Sequence, residues 1–254
     1  MSETHNTLDG SAIESIQGVL FDIDDTLVDL HSAAIEAFEK NTRQDLGELD
    51  ATTHRRVALA FADDQAGAYE RYMAGELTFL EQREVRLQHA YALVNAEPPR
   101  GEAYISWASI YEGDVRSHWR PFEDVLPHLA ELREMGVPFG AVSNNIESYQ
   151  RTKLEVAGLS EIKIVIGSDT AGAPKPNAAP FLAGCAQLGS SPERTLYVGD
   201  NRVNDYVGAK NAGLLAVLVD RGGIHEDFSG LRIRNLWDLA ELIRTDSGRF
   251  RFSA

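Results

Sequence analysis

The segment GVLFDIDDTLV, residues 18–28, joins a short apolar run to a dense group of acidic residues. Its first four residues carry no charge, and an unbroken apolar run of this kind predicts a strand buried on both faces of a parallel sheet. Asp22 and Asp24 follow the run directly. Because side chains alternate along an extended chain, two carboxylates two residues apart can face the same site. The segment therefore predicts a buried strand with acidic groups at its carboxyl end.

Similar apolar runs recur along the chain, at VPFGAVSNN (137–145), IKIVIGSD (162–169), TLYVGDN (195–201) and LLAVLVD (214–220). Helical patterns separate the later runs, namely FEDVLPHLAELREMG, YQRTKLEVAG and NAAPFLAGCAQLG. Each of these patterns closes on a glycine, the residue preferred just beyond a helix. Alternating strands and helices predict an α/β fold, a doubly wound, Rossmann-like parallel sheet with its ligand site at the carboxyl ends of the strands.

The stretch from about residue 30 to residue 119 breaks the alternation. It contains helical patterns, such as HRRVALAFADDQAGAYERYMAG and LTFLEQREVRLQHAYALV, and no convincing buried strand. The α/β pattern begins before this stretch and resumes after it, so the helical part is an insertion. We expect an α/β core domain formed by residues 1–28 and 120–254, and a helical domain formed by residues 29–119.

The composition limits the partners of the protein. Twenty-four Lys and Arg against thirty-nine Asp and Glu give a net charge of -15, which disfavours binding to nucleic acid or to an anionic membrane surface. The first ten residues lack the basic start and apolar run of a signal peptide, and no apolar stretch approaches the roughly 20 residues of a membrane span. The single cysteine, Cys185, excludes an internal disulfide. We expect a cytoplasmic protein, monomeric or homodimeric.

Polar residues end three of the predicted strands. Asp22 and Asp24 follow the first, Ser143 and Asn144 follow the second, and Asp200 follows the fourth. Two carboxylates can divide the roles of nucleophile and general acid/base if their surroundings separate their pKa values. Acidic residues at two strand ends can also share a divalent cation, and oxygen ligands are those that magnesium prefers.

Each feature also has a simpler interpretation. The acidic segment could be a solvated turn or a calcium loop, although Leu27 stands where such a loop needs glycine and no distal glutamate follows. Ser143 and Asn144 could belong to an ordinary loop or helix cap. An isolated lysine such as Lys175 is normally a solvated surface charge. What favours a site is that these features occur in one chain, most of them directly after a predicted strand.

Four segments together resemble the haloacid dehalogenase superfamily. FDIDDTL matches its first motif, Asp-x-Asp-x-Thr, and VSNN, GAPKP and VGDNRVND match its second, third and fourth motifs in chain order. The helical insertion lies between the first and second motifs and resembles the cap domain of one large branch. The resemblance implies a magnesium-dependent phosphatase that acts on a small phosphorylated metabolite.

The resemblance also implies a role for each matching residue. Asp22 would be the nucleophile that becomes an aspartyl phosphate, and Asp24 would be the general acid/base. Magnesium would be held by Asp22, Asp200 and the backbone carbonyl of Asp24, with Asp205 supporting the metal site from outside.

The phosphoryl group would be bound by Ser143 and Asn144, with Thr26 of the first motif in the same set, and Lys175 would balance its charge. Two positions depart from the family pattern: Asn145 replaces a frequent glycine, and Ala178 replaces a common proline. Neither position holds a proposed catalytic group.

Several alternatives remain open at this stage. A dehalogenase does not need the second acid, because a halide leaves without a proton, so Asp24 favours phosphoryl transfer. A sugar phosphomutase of the same family keeps that acid and is not separated by the motifs. A noncatalytic phosphate-responsive module would resemble bacterial receiver domains, but it would be near 120 residues and lack the insertion. A binding protein that lost turnover is a further alternative.

The helical domain is expected to choose the substrate, since it should close over the strand ends and exclude water. Phosphoglycolate, a sugar phosphate, a nucleoside monophosphate and a broad range of phosphate esters all remain open as substrates. Six of its residues could contact substrate but could equally serve its core or surface: Arg71, Arg83, Arg86, Tyr69, Tyr72 and Trp107.

Overall fold

The computed structural model describes residues 16–243. The expectation that no signal peptide is present concerns residues 1–10, which lie outside this range. Within this range the chain divides into two compact units, one formed by residues 16–28 and 121–243 and the other by residues 29–120. Within residues 16–243, no helix is both long enough and apolar enough to span a bilayer.

The first unit contains a six-stranded sheet in the order β3-β2-β1-β4-β5-β6. All neighbouring strands are parallel, which confirms the predicted doubly wound α/β fold. The strands are β1 (Gly18–Phe21), β2 (Phe139–Val142), β3 (Ile164–Ile166), β4 (Thr195–Gly199), β5 (Leu215–Val219) and β6 (Arg232–Ile233). The first five fall within the predicted apolar runs, whereas β6 has only two residues and no such run.

The central strand β1 lies between β2 and β4, and all four of its residues are buried. Phe21, its last residue, stands opposite Ala141 on one side and Val198 on the other. The carboxyl ends of the three strands therefore lie side by side. This register brings the polar residues that follow each strand to one edge of the sheet.

Eleven α-helices accompany the strands among the described residues. The second unit holds α1 (Leu30–Thr42), α2 (Ala51–Ala62), α3 (Ala68–Met73), α4 (Phe79–Ala92) and α5 (Glu102–Ser117). The first unit holds α6 (Val125–Glu134), α7 (Glu147–Val156), α8 (Ser168–Ala171), α9 (Ala178–Leu188), α10 (Gly208–Asn211) and α11 (Leu236–Ile243). A 3₁₀-helix covers Pro192–Arg194, and a π-helix covers Arg202–Val207.

Local signals explain where the helices begin and end. The side chain of Asn177 accepts a hydrogen bond from the backbone of Ala179 at 2.9 Å, and α9 ends at Gly189 with φ of 70°.

One predicted helical stretch, residues 54–75, is divided between α2 and α3. The break lies at Asp64, which has φ of 49° and whose carboxylate accepts from the backbone of Tyr69 at 2.7 Å. A left-handed residue cannot continue a right-handed helix, so the chain restarts there.

The second unit has an aromatic interior. The ring of Trp107 stacks on Tyr111 at 5.0 Å between centroids, and Phe61 packs edge-on against both. Arg86 donates to the carbonyl of Phe61 at 2.6 Å, and the guanidinium of Arg83 lies 5.0 Å from the centroid of the Tyr111 ring. Arg83, Arg86 and Trp107, like the other three candidate substrate contacts, therefore have structural partners within their own unit.

Candidate active site

A group of three carboxylates lies at the carboxyl ends of β1 and β4. Asp22 follows β1, Asp200 follows β4, and Asp205 comes from the π-helix after β4. One oxygen from each lies within 4.8 Å of one oxygen from each of the others. A separation of this size lets one small cation contact several oxygen atoms, so the donor set suits a hard divalent ion.

Lys175 is the cation among these carboxylates. Its ammonium Nζ lies 2.6 Å from Oδ1 of Asp22 and 2.7 Å from Oδ1 of Asp205. The same Nζ lies 3.0 Å from the hydroxyl of Tyr197 and 3.1 Å from the carbonyl of Val142. A lysine with its side chain only 3% exposed is not the solvated surface charge that an isolated lysine usually is. Lys175 is thus a buried charge that joins two of the carboxylates.

The side chain of Asn144 fixes the loop that carries Lys175. Its amide Nδ2 donates to the carbonyl of Lys175 at 3.0 Å, and its Oδ1 accepts from the backbone N–H of Lys175 at 2.6 Å. This pairing resembles that of two backbone groups in a strand ladder, and it occupies both ends of the amide. That Asn144 also binds a phosphoryl group remains a prediction.

Two local features, a helix cap and a glycine, determine the position of Asp205. The side chain of Asn201 caps the π-helix, because its Oδ1 accepts from the backbone of Val203 at 3.0 Å and of Asn204 at 2.8 Å. Gly199 leaves the space that Asp205 fills, since a Cβ at this glycine would lie 2.4 Å from Cγ of Asp205. Oδ2 of Asp205 accepts from the backbone of Asn201 at 2.9 Å. Both oxygens of Asp205 therefore already accept protein hydrogen bonds.

Asp24 has a different set of partners. Its Oδ1 contacts the ammonium of Lys153, and its Oδ2 accepts from Nε2 of Gln150 at 2.9 Å. Nε2 of Gln150 also donates to the hydroxyl oxygen of Ser143 at 2.6 Å. The carboxylates of Asp22 and Asp24 are thus held by different side chains, and Ser143 is linked to Asp24 through one amide.

Thr26 lies deeper than the other residues of its motif. It is 0% exposed, and its Oγ1 has no hydrogen-bond partner among the described residues. Its carbonyl accepts a hydrogen bond from Arg221 at 2.8 Å, and Arg221 in turn pairs with the buried carboxylate of Asp124 at 2.9 Å. The contacts of Thr26 hold the loop after β1, and its predicted part in substrate binding remains a prediction.

Burial and mutual repulsion change the acidity of the cluster. Burial raises the pKa of Asp22 to about 7, Lys175 opposes the rise, and Asp205 and Asp24 add to it. The pKa of Asp200 is raised well above its usual value, chiefly by burial and then by the charge of Asp22. Burial acts to lower the pKa of Lys175, but the attraction of Asp205 and Asp22 outweighs it and raises that pKa. The cluster has more negative charge than Lys175 alone balances.

Three residues of this region were not predicted from the sequence: Tyr197, Gln150 and Lys153. Tyr197 carries a polar atom on the buried strand β4, and its hydroxyl lies 3.0 Å from Oδ1 of Asp205. Gln150 and Lys153 are polar residues three positions apart in α7, and both are buried. Residues three positions apart are neighbours on a helix surface. The sequence signal for Gln150 and Lys153 was therefore a pair of polar residues on the buried face of the helix that follows the second motif.

The amino-acid sequence of this chain is similar to that of known proteins over most of its length. Residues 16–213 match the family model of the haloacid dehalogenase-like hydrolases. A glyceraldehyde 3-phosphate phosphatase from Methanopyrus kandleri is 30% identical over 255 residues, which cover 91% of this chain and 100% of that protein. A phosphoglycolate phosphatase from Neisseria meningitidis is 26% identical, over 84% of this chain and 83% of its own length.

The fold has close counterparts among solved structures. YfnB from Bacillus subtilis, described as a HAD-hydrolase bound to magnesium, superimposes with a TM-score of 0.70 at 19% identity. The superposition covers 90% of this chain and 98% of that protein. At this identity the likeness concerns the fold.

Proposed function

The chain belongs to the haloacid dehalogenase-like hydrolase family, and we propose that it is a magnesium-dependent phosphatase acting on a small phosphorylated metabolite. The observation that carries the proposal is the buried pairing of Asp22 with Lys175 beside Asp200, with Asp24 held separately by its own partners. This arrangement supplies a nucleophile, a charge partner, a metal-binding carboxylate and an acid/base group at one edge of the sheet.

The residues present fit magnesium. Asp22 and Asp200 would hold the ion with the backbone carbonyl of Asp24, while Asp205, whose oxygens already accept from Lys175 and Asn201, would support it from outside. The raised pKa values of Asp22 and Asp200 support this assignment, because a cluster with excess buried negative charge gains from a cation. When bound, magnesium would neutralise charge on the carboxylates and on the phosphate.

The first step transfers the phosphoryl group to the protein. A carboxylate oxygen of Asp22 attacks phosphorus, the bond between phosphorus and the ester oxygen breaks, and Asp24 gives its proton to the departing oxygen. The ammonium of Lys175 holds Asp22 in place during the attack by donating a hydrogen bond to Oδ1 of Asp22. The products of the step are an alcohol and an aspartyl phosphate on Asp22.

The second step regenerates the carboxylate. Asp24, now deprotonated, takes a proton from water, and the water oxygen attacks the phosphorus of the aspartyl phosphate. The bond between phosphorus and the Asp22 oxygen breaks, which releases inorganic phosphate. Ser143, Asn144, Thr26 and Lys175 form the proposed phosphoryl-binding set, and electrostatic stabilisation of this group is expected to supply much of the rate enhancement.

The insertion of the helical unit supports a role in substrate choice. The chain leaves the first unit after Val28 and returns at Pro121, and these two residues form a bridge beside Asp24. We propose that residues 29–120 act as the cap domain and choose the substrate. The relatives named above act on two-carbon and three-carbon phosphate esters, which are the substrates proposed for testing first.

The proposal is tested by measuring phosphate release from a panel of phosphate esters in the presence of magnesium. The panel contains phosphoglycolate, glyceraldehyde 3-phosphate, hexose phosphates and nucleoside monophosphates. We expect release from at least one of the small esters and its loss when EDTA removes the metal. Isomerisation of a sugar phosphate without phosphate release would indicate a phosphomutase instead. A rate that EDTA leaves unchanged would contradict the metal assignment.

A further inference from the structure

We propose that Gln150 and Lys153 of α7 are positioning residues for the acid/base carboxylate of Asp24, and that they couple it to the phosphoryl-binding hydroxyl of Ser143. The inference rests on the proposed phosphatase function and adds two residues to its machinery. Neither residue belongs to the four motifs that define the resemblance to the family.

The geometry of the Asp24 carboxylate is the first support. Oδ1 contacts the ammonium of Lys153, and Oδ2 accepts from Nε2 of Gln150 at 2.9 Å. Each oxygen is therefore held by a different side chain from one helix. A carboxylate oxygen can accept more than one hydrogen bond, so both oxygens keep capacity for a substrate oxygen or a water. The two contacts restrict rotation of the carboxylate and leave its oxygens able to bind substrate or water.

Burial distinguishes this pair from an ordinary surface ion pair. The side chain of Lys153 is 1% exposed and Gln150 is 0% exposed, whereas the side chain of Asp24 remains 27% exposed. The donors therefore approach Asp24 from the protein interior and leave its other side accessible. Lysine is almost never fully buried unless it is paired, so this placement gives Asp24 a fixed neighbour.

The two aspartates of the first motif each have a buried lysine. Lys175 contacts Asp22 at 2.6 Å, and Lys153 contacts Asp24. Separate cationic partners let two carboxylates share one site while they take different roles.

Gln150 extends the arrangement to the phosphoryl-binding residues. One amide nitrogen donates both to Oδ2 of Asp24 and to the hydroxyl oxygen of Ser143, at 2.9 and 2.6 Å. Because that oxygen accepts from Gln150, the Ser143 hydroxyl hydrogen is free to point toward a phosphoryl oxygen. A group held against Ser143 is thereby set at a fixed distance from Asp24. Small displacements of reacting groups are costly in rate.

The test uses the dependence of the rate on the leaving group. An alkoxide needs a proton from Asp24, whereas nitrophenolate and acetate are weak bases that leave without one. We expect Lys153→Met and Gln150→Leu to lower kcat/KM about tenfold or more for an alkyl phosphate. For 4-nitrophenyl phosphate or acetyl phosphate, the same variants should show a much smaller decrease in kcat/KM. Asp24→Asn removes the acid itself, so it should show the largest difference in lost kcat/KM between the two kinds of substrate.

Controls separate positioning from general damage. Arg151→Met removes a positive charge from the exposed face of the same helix and should leave both rates near those of the wild type. Lys153→Arg keeps a cationic donor and should recover part of the loss on the alkyl ester. Circular dichroism and thermal melts establish which variants fold, and Lys153→Arg and Gln150→Leu carry the test if Lys153→Met does not.

Two results would overturn the inference. Folded variants that lose the same factor on both kinds of substrate would show damage unrelated to proton transfer, and folded variants with wild-type rates would show no role at all. If the wild type itself releases no phosphate from any ester, the proposed function fails, and this inference falls with it. Wild-type turnover with unchanged variants overturns the positioning role alone.

Discussion

The ammonium of Lys175 lies 2.6 Å from Oδ1 of Asp22, although 153 positions separate the two residues in the chain. The same ammonium lies 2.7 Å from Asp205, and both contacts are buried. This one cation joins the end of β1 to the helix after β4.

Removing the cation should cost both stability and activity. In Lys175→Met, Asp22 and Asp205 lose their shared partner inside the protein, and we expect the free energy of unfolding to fall by about 3 to 5 kcal/mol. Magnesium should restore part of this loss by supplying positive charge. Urea denaturation with and without magnesium measures both effects. The exposed Lys210→Met serves as the control, and an unchanged stability of Lys175→Met would contradict the role of the ion pair.

Asp22→Asn should abolish turnover and leave the fold intact, because an amide cannot attack phosphorus as a carboxylate does. Phosphate release from the best substrate of the panel measures the loss. Asp25→Asn is a matched control in the same turn, since Asp25 has φ of 58° and asparagine tolerates this conformation. The control should stay within a few-fold of the wild type. Robust turnover by purified Asp22→Asn would falsify the nucleophile assignment.

Gly199→Ala tests whether the position of Asp205 matters. The added Cβ would lie 2.4 Å from Cγ of Asp205, so the acid must move, and we expect a loss of about 1 to 3 kcal/mol in stability together with lower activity. Gly113→Ala in α5 is the matched control, because no atom lies within 4 Å of a Cβ there. It should raise stability by up to about 1 kcal/mol. Equal behaviour of the two variants would argue against a tight fit at Gly199.

The pKa of Asp22 predicts how stability and magnesium binding depend on pH. Burial raises this pKa from 3.8 to about 7, so the metal-free folded state holds a proton that the unfolded state releases between these values. Stability of the metal-free protein should therefore fall as pH rises through this range, as far as Asp22 contributes. Magnesium must displace that proton, so its binding should strengthen from pH 6 to pH 8.

Thermal melts at the two pH values measure this linkage. At saturating magnesium and pH 8 we expect Tm to rise by about 5 °C or more, and by less at pH 6. Asp200→Asn should reduce the rise at both pH values, because a proposed ligand is lost. A magnesium effect of the same size at pH 6 and pH 8 would contradict proton competition at Asp22.

The sequence alone determined the sheet and the place of the site along it. The unbroken apolar runs predicted five of the six strands, and their parallel arrangement follows from the helices between them. Parallel neighbours end at one edge, so Asp22, Ser143 and Asp200 had to approach each other once their strands were adjacent. The two-residue β6 was not predicted, because its pairing with β5 and not its own composition makes it a strand.

Only the tertiary structure decided which polar side chains pair. Asn144 holds the backbone of Lys175, and Gln150 and Lys153 hold Asp24 across more than 120 positions of chain. These contacts depend on the register of the strands and on the rotation of α7 about its axis. Neither is encoded by the local alternation of apolar and polar residues. A sequence pattern specifies which residues reach an edge of a sheet, whereas hydrogen bonds a few ångströms long are set by how the whole core packs.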